Sequence, residues 1–390
     1  MGKIQTWLND LSQEVISWRR HFHQFPELSW EENKTAKFIS GLLCQWGYKV
    51  YDDFQKTAVL AHGKLNPGLK ILLRADMDAL EIEEQGCLDF KSKYPGVMHA
   101  CGHDGHIAML LGVAKLLSEI SPELKGSVVF CFQPAEEGGA GGQEVVNSEL
   151  VKSMGIEEAY ALHLYTGAPT GAFICPDKEF LASADEFEFI VHGISTHGAM
   201  PHTGIDPIVI GADLVLAVQS VISRNMNPLD QTVMTIGKFS SGQAHNVIPD
   251  RAQLLGSFRT FSEPNRNFIK TRLQEIKEGC GLTHRTKIDL NFYASYPPTR
   301  NHPEQARDFR KAAQGICDSL IENQLLLVAE DFSFYLNKYP GAMAFLGAGG
   351  SNSTQQYPPH HSSNFNFDEN ALIKGVEIFW NLIQLKLGKS

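Results

Sequence analysis

"EFEFIVHG", residues 186–193, alternates polar and apolar side chains with a period of two, the pattern of a strand that buries one face. The segments downstream of this strand decide the fold. "DPIVIGADLVLAVQSVIS" (206–223) reads as an amphipathic helix, and "TVMTIGKFS" (232–240) and "QLLGSFRTF" (253–261) read as two strands. "NRNFIKTRLQEIKEG" (265–279) is a second helix and "TKIDLNF" (286–292) a last strand. The order β-α-β-β-α-β is the ferredoxin-like split unit and makes a self-contained second domain. It predicts a domain at 185–294 inserted into a first domain made of 1–184 and 295–390.

Outward from that insertion the pattern changes. "YKVYDD" (48–53), "TAVLAHG" (57–63), "LKILLRADMDAL" (69–80) and "GSVVFCFQPAEE" (126–137) are strand-like and strongly apolar. Between and around them lie helical segments: "ELSWEENKTAKFISGLLCQWG" (27–47), the run after Asp104, and "DENALIKGVEIFWNLIQLKL" (368–387). In the first of these Ser29 and Glu32 have capping-box spacing and Gly47 is the stop. Strands alternating with helices predict an α/β sheet with helices on its faces, whose sites gather where strands end.

Composition narrows the function classes. The 390 residues are 43% hydrophobic and 20% charged, a globular profile with length for two or three domains. A net charge of −10 argues against a nucleic-acid surface, which needs clustered Lys and Arg, and leaves a small-molecule partner. The N-terminal "MGKIQTWLNDLSQEV" lacks a continuous apolar stretch, and the apolar run at 107–117 is short and broken by Lys115, so a cytoplasmic protein without membrane contact is expected. Seven scattered cysteines fit free thiols of a reducing compartment.

The chemistry concentrates in a few stretches. "HACGHDGH" (99–106) places Cys101 and His103 one residue apart on a glycine-relieved turn, a spacing that suits metal ligation or simply decorates a helix start. In "FQPAEEGG" (132–139) Glu136 and Glu137 end an apolar strand. They are either two solvated loop acids or a metal ligand beside a general base, since a cation relieves their repulsion. His163 interrupts the apolar "AYALHLYTG" and is either a ligand or a core histidine bonded to a carbonyl. Asp76 and Asp78 close a strand and read as ligands, as acids that orient the histidines, or as solvated charges. His360 and His361 precede the last helix, and which of the two serves is open at this level.

Taken in order, "RRHFHQFPELSWEE", "RADMDAL", "HACGHDGH", "FQPAEEG", "ALHLY", "HGAMPHTGIDP", "NVIPDRAQLLGSFR" and "HHSSNFNFDE" resemble the M20 metallopeptidase family, in its amidohydrolase branch of N-acyl-amino-acid and auxin-conjugate hydrolases. The resemblance spans about residues 14–382 and implies a mixed-sheet α/β metallohydrolase domain with a ferredoxin-like α+β lid and dimerisation domain. It implies Cys101, His103, Glu137, His163 and His361 as ligands of two divalent ions (zinc, manganese, nickel or cobalt), and Glu136 as base. It assigns His197 to the tetrahedral intermediate, Asn246 and Arg259 to the substrate carboxylate, and a homodimer through the lid. Asp76, Asp78, Asp104 and His106 are left to brace the ligands or cap backbone amides.

The chain departs from the family pattern at Glu81 and Ser363, where relatives usually carry proline, and at "VAEDF" (328–332), which lacks a common glycine. The activity implied is hydrolysis of an amide joining an acyl group to an amino acid. Its rivals are a dipeptidase or aminopeptidase of the same family, a hydrolase with Cys101 as nucleophile and His103 or His106 as base, and a non-catalytic metal-binding protein.

Overall fold

The computed structural model describes residues 2–120, 123–293, 295–350 and 357–388. It divides into two compact units, Met1–Lys178 with Arg300–Gln324 and Asp331–Ser390, and Glu179–Thr299 with Leu325–Glu330. In chain order the first unit supplies α1 (Gly2–Gln24), α2 (Asn33–Gln45), β1 (Lys49–Phe54), β2 (Ala58–His62), β3 (Leu69–Asp76), α3 (His103–Ile120), β4 (Gly126–Gln133), β5 (Glu158–Tyr165) and β6 (Ala172–Ile174). The second contributes β7 (Asp185–His192), α4 (Pro207–Ser220), β8 (Thr232–Ser241), β9 (Arg251–Thr260), α5 (Glu263–His284) and β10 (Ile288–Phe292). The chain then returns through α6 (Pro303–Ala313), β11 (Ser319–Ile321), β12 (Gly341–Gly347) and α7 (Asn370–Leu387).

The first unit is built on one mixed sheet in the order β1-β2-β4-β3-β5-β12-β6-β11. Strand β3 runs parallel to both β4 and β5, and β5 parallel to β12, while β2 is antiparallel to β1 and β4. Every residue of β2, β4 and β12 is buried, which is why these strands read as unbroken apolar runs. Helices α1, α3 and α7 share one core, with Leu8, Val15 and Phe22 meeting Ile107, Leu111, Val376 and Phe379. The mixed α/β class expected from the sequence is the one found. With β3, β4 and β5 parallel, their carboxyl ends open on the same edge.

One local expectation fails. Helix α2 starts at Asn33, and Glu32, at its N-cap, makes no side-chain bond to the helix. Glu27 does that work instead, its Oε2 accepting from the amides of Lys34 and Thr35 at 2.9 Å each. Trp30 at φ +68 bends the chain between Ser29 and the helix, so the pair with capping-box spacing points elsewhere.

The second unit is an antiparallel sheet in the order β8-β9-β7-β10, with α4 and α5 packed on it in the connectivity of the split β-α-β unit. Phe187, Phe189 and Val191 of β7 face Leu214 and Val218 of α4 and Ile269 and Leu273 of α5. The opposite face is polar: Glu188 accepts hydrogen bonds from Gln253, Asn291 and Tyr293. Strand β8 pairs only with β9 in this sheet and forms its edge. Ala294, the expected limit of the inserted domain, lies outside the described residues. The segment Pro207–Asn225 is long and apolar enough to cross a bilayer, but its Ile210, Leu214 and Val218 pack in the core of this unit.

Candidate metal centre

The open edge of the first sheet collects the chemistry. Strand β3 ends at Asp76, β4 runs into Pro134–Ala135–Glu136–Glu137, and β5 carries His163. Helix α3 starts at His103, one turn residue after Cys101, with Gly102 at φ +94 making a bend that a side chain would strain. Donor atoms of Cys101, His103 and Glu137 lie within 4.8 Å of one another. His163 Nε2 is 3.6 Å from Cys101 Sγ, and His361 Nε2 is 3.3 Å from Glu137 Oε1. The five residues expected as ligands are thus brought together, and the buried Glu136 stands beside them.

The imidazoles are oriented for ligation. His103 donates Nδ1–H to the Asp78 carbonyl at 2.9 Å, and His163 donates Nδ1–H to the Leu164 carbonyl at 2.6 Å. Each therefore turns an Nε2 lone pair inward. Among the described residues the buried His103 Nε2 and Glu137 Oε1, 4.0 Å apart, make no hydrogen bond, and Glu137 Oε1 has the His361 ion pair at 3.3 Å. Burying a polar atom without a hydrogen bond costs on the order of 1–3 kcal/mol. A sulfur, imidazole nitrogens and a carboxylate converging on one point fit a divalent cation.

The electrostatics agree with that fit. Burial and the carboxylates of Glu137, Glu136 and Asp76 hold the Cys101 thiol well above its ordinary pKa. Burial alone would lower His103, yet Asp76, Asp78 and Glu137 carry it to about 10. Both displacements mark a surplus of negative charge that a bound cation would reverse. The raised Cys101 thiol opposes the rival in which Cys101 is the nucleophile and His103 or His106 the base, because it disfavours the reactive thiolate.

Around the donors stands a layer of buried acids. Asp76 Oδ1 accepts from His106 Nδ1 at 2.6 Å, and Asp76 Oδ2 is 3.6 Å from His103 Nε2. His106 Nε2 in turn accepts from the Leu164 amide at 2.9 Å, so both its nitrogens are engaged and it braces rather than ligates. Asp78 lies 3.4 Å from His103 Nδ1 and accepts from the amides of Glu136 and Glu137.

Two expectations are sharpened here. Asp104 braces no ligand; apart from its Oδ1 accepting from the Gly105 amide, it pairs with Arg19 at 3.1 Å and His23 at 2.8 Å, because its side chain leaves the helix on the side facing α1. His360 donates Nδ1–H to the Cys101 carbonyl and accepts the Thr166 amide on Nε2, leaving His361 as the one of the pair that reaches Glu137.

Residues 72–385 match the family model described as peptidase family M20/M25/M40. The chain belongs to this family. Its M20 relatives include N-acetyl-L-cysteine deacetylase of Bacillus subtilis, 38% identical over 94% of this chain and 86% of that protein. Another is N-acyl-L-amino acid amidohydrolase of Geobacillus stearothermophilus, 38% identical over 77% of this chain and 82% of that protein. A dinuclear metal-binding M20 peptidase of Bacillus subtilis superposes with a TM-score of 0.83 at 30% identity, over 96% of this chain and 98% of that one.

In this M20 chain the second unit carries the remaining expected residues. His197 is exposed on a two-residue strand paired with Val247–Ile248, its Nδ1 accepting from the Ala199 amide. Asn246 sits next to it, its carbonyl accepting from the Gly198 amide. Arg259 lies on β9 opposite Val233, and its Nη1 is buried with no hydrogen-bond partner among the described residues.

Sequence reasoning missed several contributors of the first unit. Arg74 donates to Asp76 and Asp331 at 2.7 Å each and to Gln133 at 2.9 Å, tying β3 and β4 to the segment after Glu330. A lone cation inside the apolar "LKILLRAD" was its signal, since a buried Arg requires a buried anion. Glu32 and Ser29 carried no such signal.

Proposed function

We propose that this M20 enzyme hydrolyses the amide bond of N-acyl amino acids, releasing a carboxylic acid and the amino acid. The observation that carries the reading is the convergence of His103 Nε2 and Glu137 Oε1 with Cys101, His163 and His361 beside a second buried carboxylate, Glu136. Cys101, His103, Glu137, His163 and His361 would hold two divalent ions, and the chemistry such ions would supply is polarisation of a carbonyl and a lowered pKa for water. The thiolate favours zinc, cobalt or nickel, and the carboxylate admits manganese.

Glu136 accepts the water's proton and returns it to the leaving amine. His197 donates a hydrogen bond to the oxyanion, a role whose removal costs about 100- to 1000-fold in rate. Arg259, whose Nη1 has no hydrogen-bond partner among the described residues, and Asn246 receive the carboxylate of the amino acid; the planar guanidinium fork suits that group. The second unit acts as lid and dimerisation domain of a cytoplasmic homodimer. Its edge strand β8 and the outer face of α4, with Ile208, Val209 and Leu216 exposed, support that assignment.

The test is a substrate panel with Glu136→Gln. N-acetyl, N-benzoyl and indole-acetyl amino acids are set against unblocked dipeptides, and Glu136→Gln is expected to abolish turnover while retaining both metals. Preference for unblocked dipeptides shifts the reading to a dipeptidase, and near-wild-type turnover by Glu136→Gln rejects the assigned base.

A further inference from the structure

The turn after β4 carries both Glu136 and Glu137, and three successive amides of that turn are collected by buried carboxylates from elsewhere in the chain. Asp78 Oδ1 accepts from Glu136 N at 3.0 Å and Asp78 Oδ2 from Glu137 N at 2.9 Å. Glu32 Oε1 accepts from Ala135 N at 2.9 Å. Ala135 stands at φ +54, a left-handed conformation that a non-glycine residue holds only where its surroundings impose it. From the other side Gly141 N donates to Ala135 O at 3.0 Å, and a Cβ on Gly141 would meet Pro134 O at 1.8 Å.

Glu32 is an unusual residue to find there. It is 0% exposed and borders α2, yet the cap of that helix is made by Glu27. Its second oxygen accepts from Thr57 Oγ1 at 2.6 Å, and no Lys or Arg pairs with it among the described residues. Burying an unpaired carboxylate is costly, and packing alone would be better served by an apolar side chain. What it gains is a fixed acceptor for the strained amide next to the proposed base.

We propose that Glu32 is a positioning residue of the hydrolytic site, holding the 134–137 turn so that Glu136 and Glu137 present their carboxylates to the metal centre. This rests on the reading of Glu136 as base and Glu137 as ligand. Ser29 completes the arrangement by donating Oγ–H to Asp78 Oδ2 at 2.6 Å. The two residues whose spacing imitates a capping box thus serve the same turn, one directly and one through Asp78.

The test uses the full-length protein with Glu32→Ala, Glu32→Gln, Thr57→Val and Glu136→Gln. Four quantities are read: kcat and KM on an N-acyl amino acid, Co²⁺ affinity of the metal-free protein by calorimetry, and the thermal unfolding midpoint. Glu32→Ala is expected to lower kcat by about 30-fold with KM within about threefold, because displacing a reacting group by an ångström costs on the order of 100-fold. It should also weaken Co²⁺ binding by about tenfold. Glu32→Gln keeps an acceptor for Ala135 N and can donate to Thr57 Oγ1, so it should stay within about threefold of wild type in both.

A folded Glu32→Ala with wild-type kcat and Co²⁺ affinity overturns the proposal, as does a Glu32→Gln as impaired as Glu32→Ala. If Glu32→Ala does not fold, Thr57→Val frees the second oxygen of Glu32 and should lower kcat about threefold; an unchanged kcat overturns the proposal. Glu136→Gln separates the two layers: if it is inactive while Glu32→Ala is fully active, only the positioning role falls.

Discussion

Asp76 and Glu32 are both buried carboxylates near the same centre, and their surroundings set them apart. Burial works against the charge on Asp76, but His103, His106 and Arg74 hold its carboxyl well below the usual range, so it is a permanent acceptor for His106. Asp76→Asn should therefore weaken Co²⁺ binding to the metal-free protein by about 10- to 100-fold while leaving the fold intact, measured by calorimetry and circular dichroism. Glu32 has no such cations, and burial with Asp78 pushes its pKa from 4.5 up to about 7 against the Thr57 hydrogen bond. A raised carboxyl pKa contributes stability that is complete below about pH 4.5 and lost as pH rises through about 7. The shift corresponds to about 3 kcal/mol, so Glu32→Gln should gain about that much on wild type between pH 4.5 and 8 in urea unfolding.

At this scale the sequence is unevenly informative. Cys101, His103 and the Glu136–Glu137 pair are legible because metal-capable side chains crowd against apolar runs. Glu32 is not legible, because one residue type caps helices and braces turns, and only the backbone path after Trp30 decides which.

Among the elements, α1 is tied to the site through Arg19 and His23. Arg19 is fully buried between the rings of Phe90 and Phe367, at 4.5 and 4.3 Å, and donates to Asp104 on α3, to Asn366 and to Glu369 at the start of α7. His23 binds the same Asp104 at 2.8 Å. Three helices are thereby pinned at the end where α3 delivers His103. Asp104→Ala leaves Arg19 and His23 without their shared anion and should destabilise the first unit by about 3 kcal/mol in urea unfolding, whereas a loss under about 0.5 kcal/mol would contradict a pinning role.

Helix α1 itself is written in the sequence, since Leu8, Leu11, Val15, Trp18 and Phe22 recur at helical spacing and are buried. Its partner is not, because nothing local to "RRHFH" says that its arginine will meet an aspartate from far along the chain. The main elements of the β-α-β-β-α-β unit, by contrast, are readable, as its strands alternate and α5 carries one apolar stripe, although α4 is apolar on its exposed face as well.

For the whole molecule, the second unit leaves a strand edge and an apolar helix face uncovered, with Leu216 72% and Val209 54% exposed. Patches of this kind mark association surfaces. Sedimentation should give a homodimer, and Val209→Glu with Leu216→Glu a monomer; a wild-type monomer would remove the dimerisation role assigned to this unit.

The activity proposed for the molecule depends on five side chains from separate parts of the chain holding two metals beside Glu136. The most direct measurement is a Co²⁺ titration of the metal-free protein followed by absorption, with Cys101→Ser alongside. Two equivalents per chain are predicted, with a thiolate-to-cobalt charge-transfer band that Cys101→Ser removes. Saturation at one equivalent or none, or the same spectrum without Cys101, would contradict it.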